Sequence, residues 1–478
     1  MELTLKNVGI IKDSTIKLDG LTVITGPNNS GKSTVGKALY SLIRTEVLSP
    51  SEYAEEVAHT KSNCLLALSK ELRFDLLTKY INVPSNNIGN TINILTLFMS
   101  LNLLGALNRN IEPFTAPDKL GGDIYDHLDD FFNGITKEYL ISIAKPNALN
   151  DKIFIEYLDG FAEKKKKAYD EYKSIDKYIN SSDNVRVFLK NTLSRILRAE
   201  YSNQVISNIF GDATDASGQV VLKDDGQIID SITISGNGDV DSDSFVFNKV
   251  GFTNVILFDD AYSVDNLNRK IKSEYKYSHN QHLLYCLKNK PNETVFEEEM
   301  LKGEENRVLN LIKDSFPGNI SKADTNYTYN DNIIKNLLVQ NLATGSKCFA
   351  TIKQLINNRQ ISKNSLLILD EPESHLHPEW QNIFAEIIVL LVKEWGIKVL
   401  LTTHSPNFLL ALDTYMHKDK LSNSVHVYQS KQAPDHSVSF ECVDDKINEA
   451  YAALALPFLQ MDAMHSQLLQ KTDGNGED

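Results

Sequence analysis

The sequence predicts an α/β fold built on a mixed sheet, on three observations. Residues 3–25 read as short strands, Leu3–Val8, Ser14–Leu18 and Leu21–Thr25, alternating or apolar in the way of half-buried and buried strands. A glycine-rich stretch, Gly26-Pro-Asn-Asn-Ser-Gly-Lys-Ser-Thr34, follows directly and leads into the helical pattern Val35–Ile43. From residue 333 onward, helical and apolar strand-like runs alternate, the order that builds parallel α/β sheets. The expected sheet joins an antiparallel N-terminal part to a parallel core. A large, mainly helical insertion separates its two halves.

Taken in order, residues 1–45 form the first part of the core, with Asp19-Gly20 as a hairpin turn between the second and third strands. Residues 46–215 form the helical insertion. Leu65–Tyr80 and Val185–Phe210 carry apolar residues at three- and four-residue spacing, which marks amphipathic helices. Ile94–Leu107 reads as a buried helix, too short to span a bilayer. Lys164–Lys167 is a basic run inside a polar helix, Phe161–Asn180. It reads first as a solvated face, with a partner or nucleic-acid patch as the other reading. Residues 216–332 form a β/helical lid region, with β-type alternation over 218–250 and a buried strand at Asn254–Phe258. Helix returns over 263–315, and a polar, Tyr- and Asn-rich stretch runs from Pro317 to about 331. Residues 333–478 complete the core, with strands at Ser424–Gln429 and Ser437–Cys442, and the tail from Lys471 reads as disordered.

At 478 residues the chain exceeds one ordinary core, so two or three substructures are expected. Its net charge of −14 gives no overall attraction to nucleic acid or an anionic membrane. The cysteines, Cys64, Cys286, Cys348 and Cys442, form no C-x-x-C pair, so neither zinc nor a disulfide framework is indicated. The N-terminus lacks the basic and apolar regions of a signal peptide. A reducing cytoplasm is the expected setting.

The glycine-rich stretch fits G-x-x-x-x-G-K-[ST] at Gly26, Gly31, Lys32 and Ser33. Strand, loop and helix together are the context of a P-loop. Backbone N–H groups over Asn28, Asn29, Ser30, Gly31, Lys32, Ser33 and Thr34 can turn inward around phosphate oxygens at a helix N-terminus. Lys32 reaches the β- and γ-phosphates, and the Ser33 hydroxyl ligates Mg²⁺.

A second motif supplies acid. Leu366-Leu-Ile-Leu-Asp-Glu371 is an apolar strand ending in two carboxylates, and such strand ends face the ligand crevice of an α/β sheet. Asp370 can hold Mg²⁺ directly or through water, and Glu371 can polarise a water for attack on the γ-phosphate. A third strand, Lys398–Thr403, ends at His404-Ser405-Pro406. His404 can contact the γ-phosphate or the attacking water, while Ser405 before Pro406 reads as a helix cap. His279 and His282 lack an evident third ligand and read as surface or core histidines. Asp239, Asp241 and Asp243 read as a polar turn.

GPNNSGKST, LLILDEPESHLHP and LLTTHSPNFL resemble the Walker A, Walker B/D-loop and H-loop of ABC-type ATPase heads, the group of SMC, RecF and overcoming-lysogenisation (OLD) ATPases. Asn341-Leu-Ala-Thr-Gly-Ser-Lys347 stands where that group carries its signature. Gly345 then matches the signature glycine. Ala343 replaces the usual serine, and Thr344 could supply the hydroxyl. The resemblance implies that this segment closes over the ATP of a second subunit, giving a homodimer or higher homo-oligomer through ATP-sandwiched heads. Gln204, Gln219 and Gln227 are the candidates for the Q-loop. The stretch after His404 is too short for the TOPRIM nuclease of OLD proteins, and the heptads of an SMC coiled coil are lacking. The plan resembles the ATPase subunits of bacterial antiphage systems such as Septu and PARIS. That resemblance implies an oligomeric sensor or scaffold controlling a separate nuclease or toxin. The alternative is a DNA-engaging repair ATPase of the RecF or SMC type, for which the acidic charge is unfavourable.

Overall fold

The computed structural model describes residues 1–81, 125, 127–202, 204–206, 217–236, 238–241, 245–248, 250–269, 277–290, 307–323, 326–421 and 424–473. Its strands are β1 (Glu2–Val8), β2 (Ile11–Lys17), β3 (Leu21–Thr25), β4 (Ser217–Asp224), β5 (Gln227–Ser235), β6 (Asn254–Phe258), β7 (Asn319–Ala323), β8 (Asn326–Asn330), β9 (Leu337–Leu338), β10 (Ser365–Asp370), β11 (Lys398–Thr403), β12 (Val425–Gln432) and β13 (Val438–Cys442). Its α-helices are α1 (Lys32–Glu71), α2 (Phe74–Tyr80), α3 (Leu128–Gly134), α4 (Lys137–Ser142), α5 (Lys152–Asp159), α6 (Phe161–Ile179), α7 (Ser182–Tyr201), α8 (His279–Lys288), α9 (Arg307–Ser315), α10 (Thr344–Asn357), α11 (Pro378–Trp395), α12 (Pro406–Asp419) and α13 (Ile447–Asp473).

Packing divides the chain into two compact units, residues 1–48 with 189–478, and residues 49–188. In the first, ten strands run in the order β5-β4-β1-β2-β13-β12-β3-β11-β10-β6. The β5-β4-β1-β2 part is antiparallel, and β12-β3-β11-β10-β6 is parallel. The mixed sheet is thus the one expected. β3 is buried along its whole length, because it is central to the parallel part and covered on both faces. One face packs on Val35, Leu39 and Ile43 of α1 with Leu193, Ile196 and Leu197 of α7. The other packs on α10, α11 and α12, where Phe349, Phe384 and Phe408 meet in sequence.

Local chemistry fixes the two helices that frame the later motifs. His377 caps α11 by accepting from the Glu379 N–H, Pro378 takes its first turn, and Gly396 ends it at φ +64°. Ser405 caps α12 by accepting from the Phe408 N–H, with Pro406 behind it. The cap expected at Ser405 is therefore present.

The second unit has a core of its own, with Leu68, Phe74, Phe131, Phe154 and Phe161 essentially inaccessible. Arg73, at φ +50°, breaks the helix between α1 and α2. The basic run lies on α6, where Lys167 pairs with Glu71 at 2.9 Å.

Several expectations differ from the structure. Asp19-Gly20 is no hairpin turn, since β2 lies between β1 and β13 while β3 lies between β12 and β11. The hairpin is β1–β2, closing at Val8 and Ile11. The insertion packs as 49–188, not 46–215, because the apolar face of α7 joins the core under the sheet. β4, β5 and β6 of the 216–332 stretch are strands of the same large sheet, and the Tyr- and Asn-rich stretch pairs as β7 and β8. α13 extends past Lys471 to Asp473. Ile94–Leu107 lies outside the described residues.

Candidate functional site

Four parallel strands, β3, β11, β10 and β6, end along one edge of the sheet, and each delivers a different group there. β3 opens the Gly26–Thr34 loop, which passes into α1 at Lys32. The loop needs its glycines. A Cβ on Gly26 would lie 1.9 Å from Ser430 Oγ, and Gly31 adopts φ +78°. Residues Asn28–Thr34 line a cleft of about 700 Å³ together with Asp370, Glu371, Tyr201, Gln204 and the Phe258–Ala261 turn. Ser30 Oγ is buried without a hydrogen-bond partner, an orphaned donor at the place where a phosphate oxygen would sit.

Lys32 is buried at 3% exposure. Its ammonium donates to the carbonyls of Gly26 (2.9 Å) and Pro27 (2.8 Å) and pairs with Glu371 Oε1 at 3.1 Å. The other Glu371 oxygen, Oε2, lies 3.1 Å from His404 Nδ1. The P-loop lysine, the acid after β10 and the histidine after β11 therefore meet in one cluster.

Two threonines at the end of β11 hold the acids. Thr402 Oγ1 donates to Asp370 Oδ1 at 2.5 Å and accepts from the Glu371 N–H at 3.0 Å. This dual bond anchors Glu371 at φ +49°, a strained backbone for a non-glycine residue. Thr403 Oγ1 donates to Glu373 Oε1 at 2.5 Å. Burial pushes the Glu373 carboxyl up from its ordinary range, against the lowering effect of that hydrogen bond.

The structure thus brings together the expected Asn28, Asn29, Ser30, Gly31, Lys32, Ser33, Thr34, Asp370, Glu371 and His404. Thr344 and Gly345 do not line this cleft. They open α10, where Thr344 Oγ1 lies 3.2 Å from the Tyr262 hydroxyl and Gly345 faces Trp380. Of the glutamine candidates, Gln204 lines the cleft, while Gln219 and Gln227 lie on β4 and β5. Sequence reasoning missed Thr402, Asp259 and Tyr201. The paired threonines before His404 were the available signal for the first. The Ser33 hydroxyl and the Asp370 carboxylate are hard oxygen donors of the kind Mg²⁺ takes.

A glycine-rich loop at a helix N-terminus, a buried strand ending in paired acids, and a strand between them ending in a histidine meet at one cleft, the candidate nucleotide site of a P-loop ATPase domain. The chain belongs to the AAA ATPase domain family, whose model matches residues 1–409. No curated protein sequence matches it. Among solved structures it is similar to the SMC head domain from Thermotoga maritima, at 11% identity and a TM-score of 0.35, covering 92% of this chain and 98% of that one. An Smc head bound to the C-winged helix domain of ScpA gives 12% identity and 0.35, with 92% and 96% covered. An Smc head with coiled coil and joint from Pyrococcus yayanosii gives 11% and 0.29, with 95% and 99% covered. Among the described residues, no helix is long and apolar enough to cross a membrane.

Proposed function

We propose that this chain hydrolyses ATP with Mg²⁺ and that the nucleotide governs its assembly. The observation that carries this is the pairing of Lys32 with Glu371 at 3.1 Å. It puts the phosphate-binding cation and the candidate base in contact across one cleft. Phosphates entering the loop compete for the Lys32 ammonium and release Glu371 toward water. Glu371 then accepts a proton from the attacking water, with His404 against its second oxygen. Ser33 and Asp370 would hold Mg²⁺, which neutralises phosphate charge. Phosphate release by the purified protein, compared with Lys32→Ala and Glu371→Gln, tests this reading.

Assembly runs through α10. Its cap residue, Ala343, offers no side-chain acceptor, so its first N–H groups remain available to an anion. In a head-to-tail homodimer Thr344 and Gly345 cover the ATP of the neighbouring protomer. The chain then acts as a cytoplasmic antiphage sensor or scaffold that controls a separate nuclease or toxin. Support comes from the motif wording, the acidic charge and the separately cored 49–188 unit. Exposed Leu456, Phe458, Leu459, Met461 and Met464 on α13 suit a protein contact. Phage challenge of cells carrying this chain with its genomic neighbours, wild type against Lys32→Ala, tests the biological role. Protection that survives Lys32→Ala would overturn it.

A further inference from the structure

A second acidic group faces the cleft from the far side of the Walker B strand. In the parallel register Phe258 of β6 pairs with Leu369 of β10, so Asp259 and Asp370 end neighbouring strands side by side. Adjacent strands lie about 4.8 Å apart. Asp259 lines the cleft with a side chain 26% exposed.

Behind Asp259 stands a buried clamp. His279 Nε2 lies 2.8 Å from Asp259 Oδ2, and His279 Nδ1 lies 2.6 Å from Glu200 Oε2. The His279 backbone N–H donates to the other Glu200 oxygen at 2.7 Å. An imidazole with a carboxylate on each nitrogen must donate at both, so it carries both protons. The two carboxylates outweigh burial and push the His279 pKa up to about 9. Glu200 is fully buried and His279 nearly so, a costly arrangement that is weak as a stabilising device. The clamp is also tied to the P-loop helix. Tyr201, next to Glu200, donates to the Thr34 carbonyl at 2.8 Å, and the Tyr40 ring meets His279 edge-on at 6.1 Å. Asp259 is thereby placed relative to the phosphate loop through one turn of α7.

We propose that Asp259 is a further carboxylate of the hydrolytic site, accepting hydrogen bonds from water beside the Glu371 base, and that His279 and Glu200 are its positioning residues. His279 and the Asp259 backbone N–H occupy two of the roughly four lone-pair sites of the carboxylate, which leaves acceptor capacity toward the cleft.

This inference rests on the ATPase reading, and kinetics on the full chain separates the two. Asp259→Asn is expected to lower kcat by about tenfold or more, in the range of positioned acid–base groups. KM and the affinity for a non-hydrolysable ATP analogue should stay within about threefold. His279→Gln should do the same, and the double variant should be no slower than Asp259→Asn alone, since both act through one carboxylate. Glu200→Gln/His279→Gln removes both buried charges together and serves if His279→Gln does not fold. Wild-type turnover in Asp259→Asn, while Glu371→Gln is inactive, overturns the inference and leaves the ATPase reading intact. Additive losses in the double variant overturn the positioning role. No turnover in the wild-type protein overturns both.

Discussion

Lys32 Nζ and Glu371 Oε1 stand 3.1 Å apart, the first buried and the second 27% exposed at the cleft. On the proposed reading, the cation that would receive phosphate is paired with the carboxylate that would activate water. In the proposed mechanism each group stays occupied until nucleotide arrives, and the base is held until there is a γ-phosphate to attack.

Lys32→Ala removes the point charge that offsets the phosphates. Calorimetry with ATP and Mg²⁺ should show binding lost or weakened by at least an order of magnitude. Affinity close to wild type would contradict the role of Lys32.

Thr402→Val keeps shape and deletes the hydroxyl between Asp370 and the Glu371 N–H. Removing such a hydrogen bond costs about 1–3 kcal/mol. Turnover should fall while ATP affinity changes little, and a Mg²⁺ titration should shift to higher concentration. An unchanged Mg²⁺ curve and rate would show that Thr402 does not order the acids.

Burial pushes the Asp230 carboxyl up to about 7, with Glu46 adding to the effect and the Asn248 N–H opposing it. The folded state therefore binds this proton more tightly than the unfolded one, whose carboxyl titrates near 3.8. Stability from this group is fully present below about 4 and is lost as pH rises to about 7. Asp230→Asn should flatten that part of the profile and raise the thermal midpoint at pH 8. A midpoint lowered at pH 8 would show that the ionised carboxylate is well accommodated.

What the sequence revealed and what it hid divide along chain distance. Gly26–Thr34, Asp370-Glu371 and His404 are legible because each motif sits at the end of one apolar strand, within a few residues. Asp259 is hidden because its meaning comes from the pairing of β6 with β10, which sets it beside Asp370, more than a hundred residues later. Thr402 is hidden because its hydroxyl matters only in the β10–β11 register. Asp19-Gly20 carries a true turn signal, with Gly20 at φ +57°. The partners of β3, however, come from β11 and β12 near the end of the chain. The boundary at 188 was illegible because it falls inside one continuous helix, α7, whose later apolar residues, Leu193, Ile196 and Leu197, belong to the core of the large sheet.

Gly345→Asp places a carboxylate at the start of α10, where it would repel the γ-phosphate of a neighbouring protomer. The variant should bind ATP at its own P-loop yet neither hydrolyse it nor tighten its dimer. Mixed with Lys32→Ala protein, it should recover activity, since one composite site in a mixed dimer carries neither defect. No recovery in proven mixed dimers would count against sites shared in trans.

The most direct test of the account is single-turnover ATP hydrolysis by wild type and Glu371→Gln at saturating ATP and Mg²⁺. The amide keeps the shape of Glu371 and cannot act as a base. Wild type should release phosphate. The variant should bind ATP at least as well and hydrolyse it about 10²–10⁴-fold more slowly, accumulating as an ATP-bound dimer visible by light scattering. Equal rates in the two proteins would contradict the assignment of Glu371 and with it the proposed chemistry of the cleft.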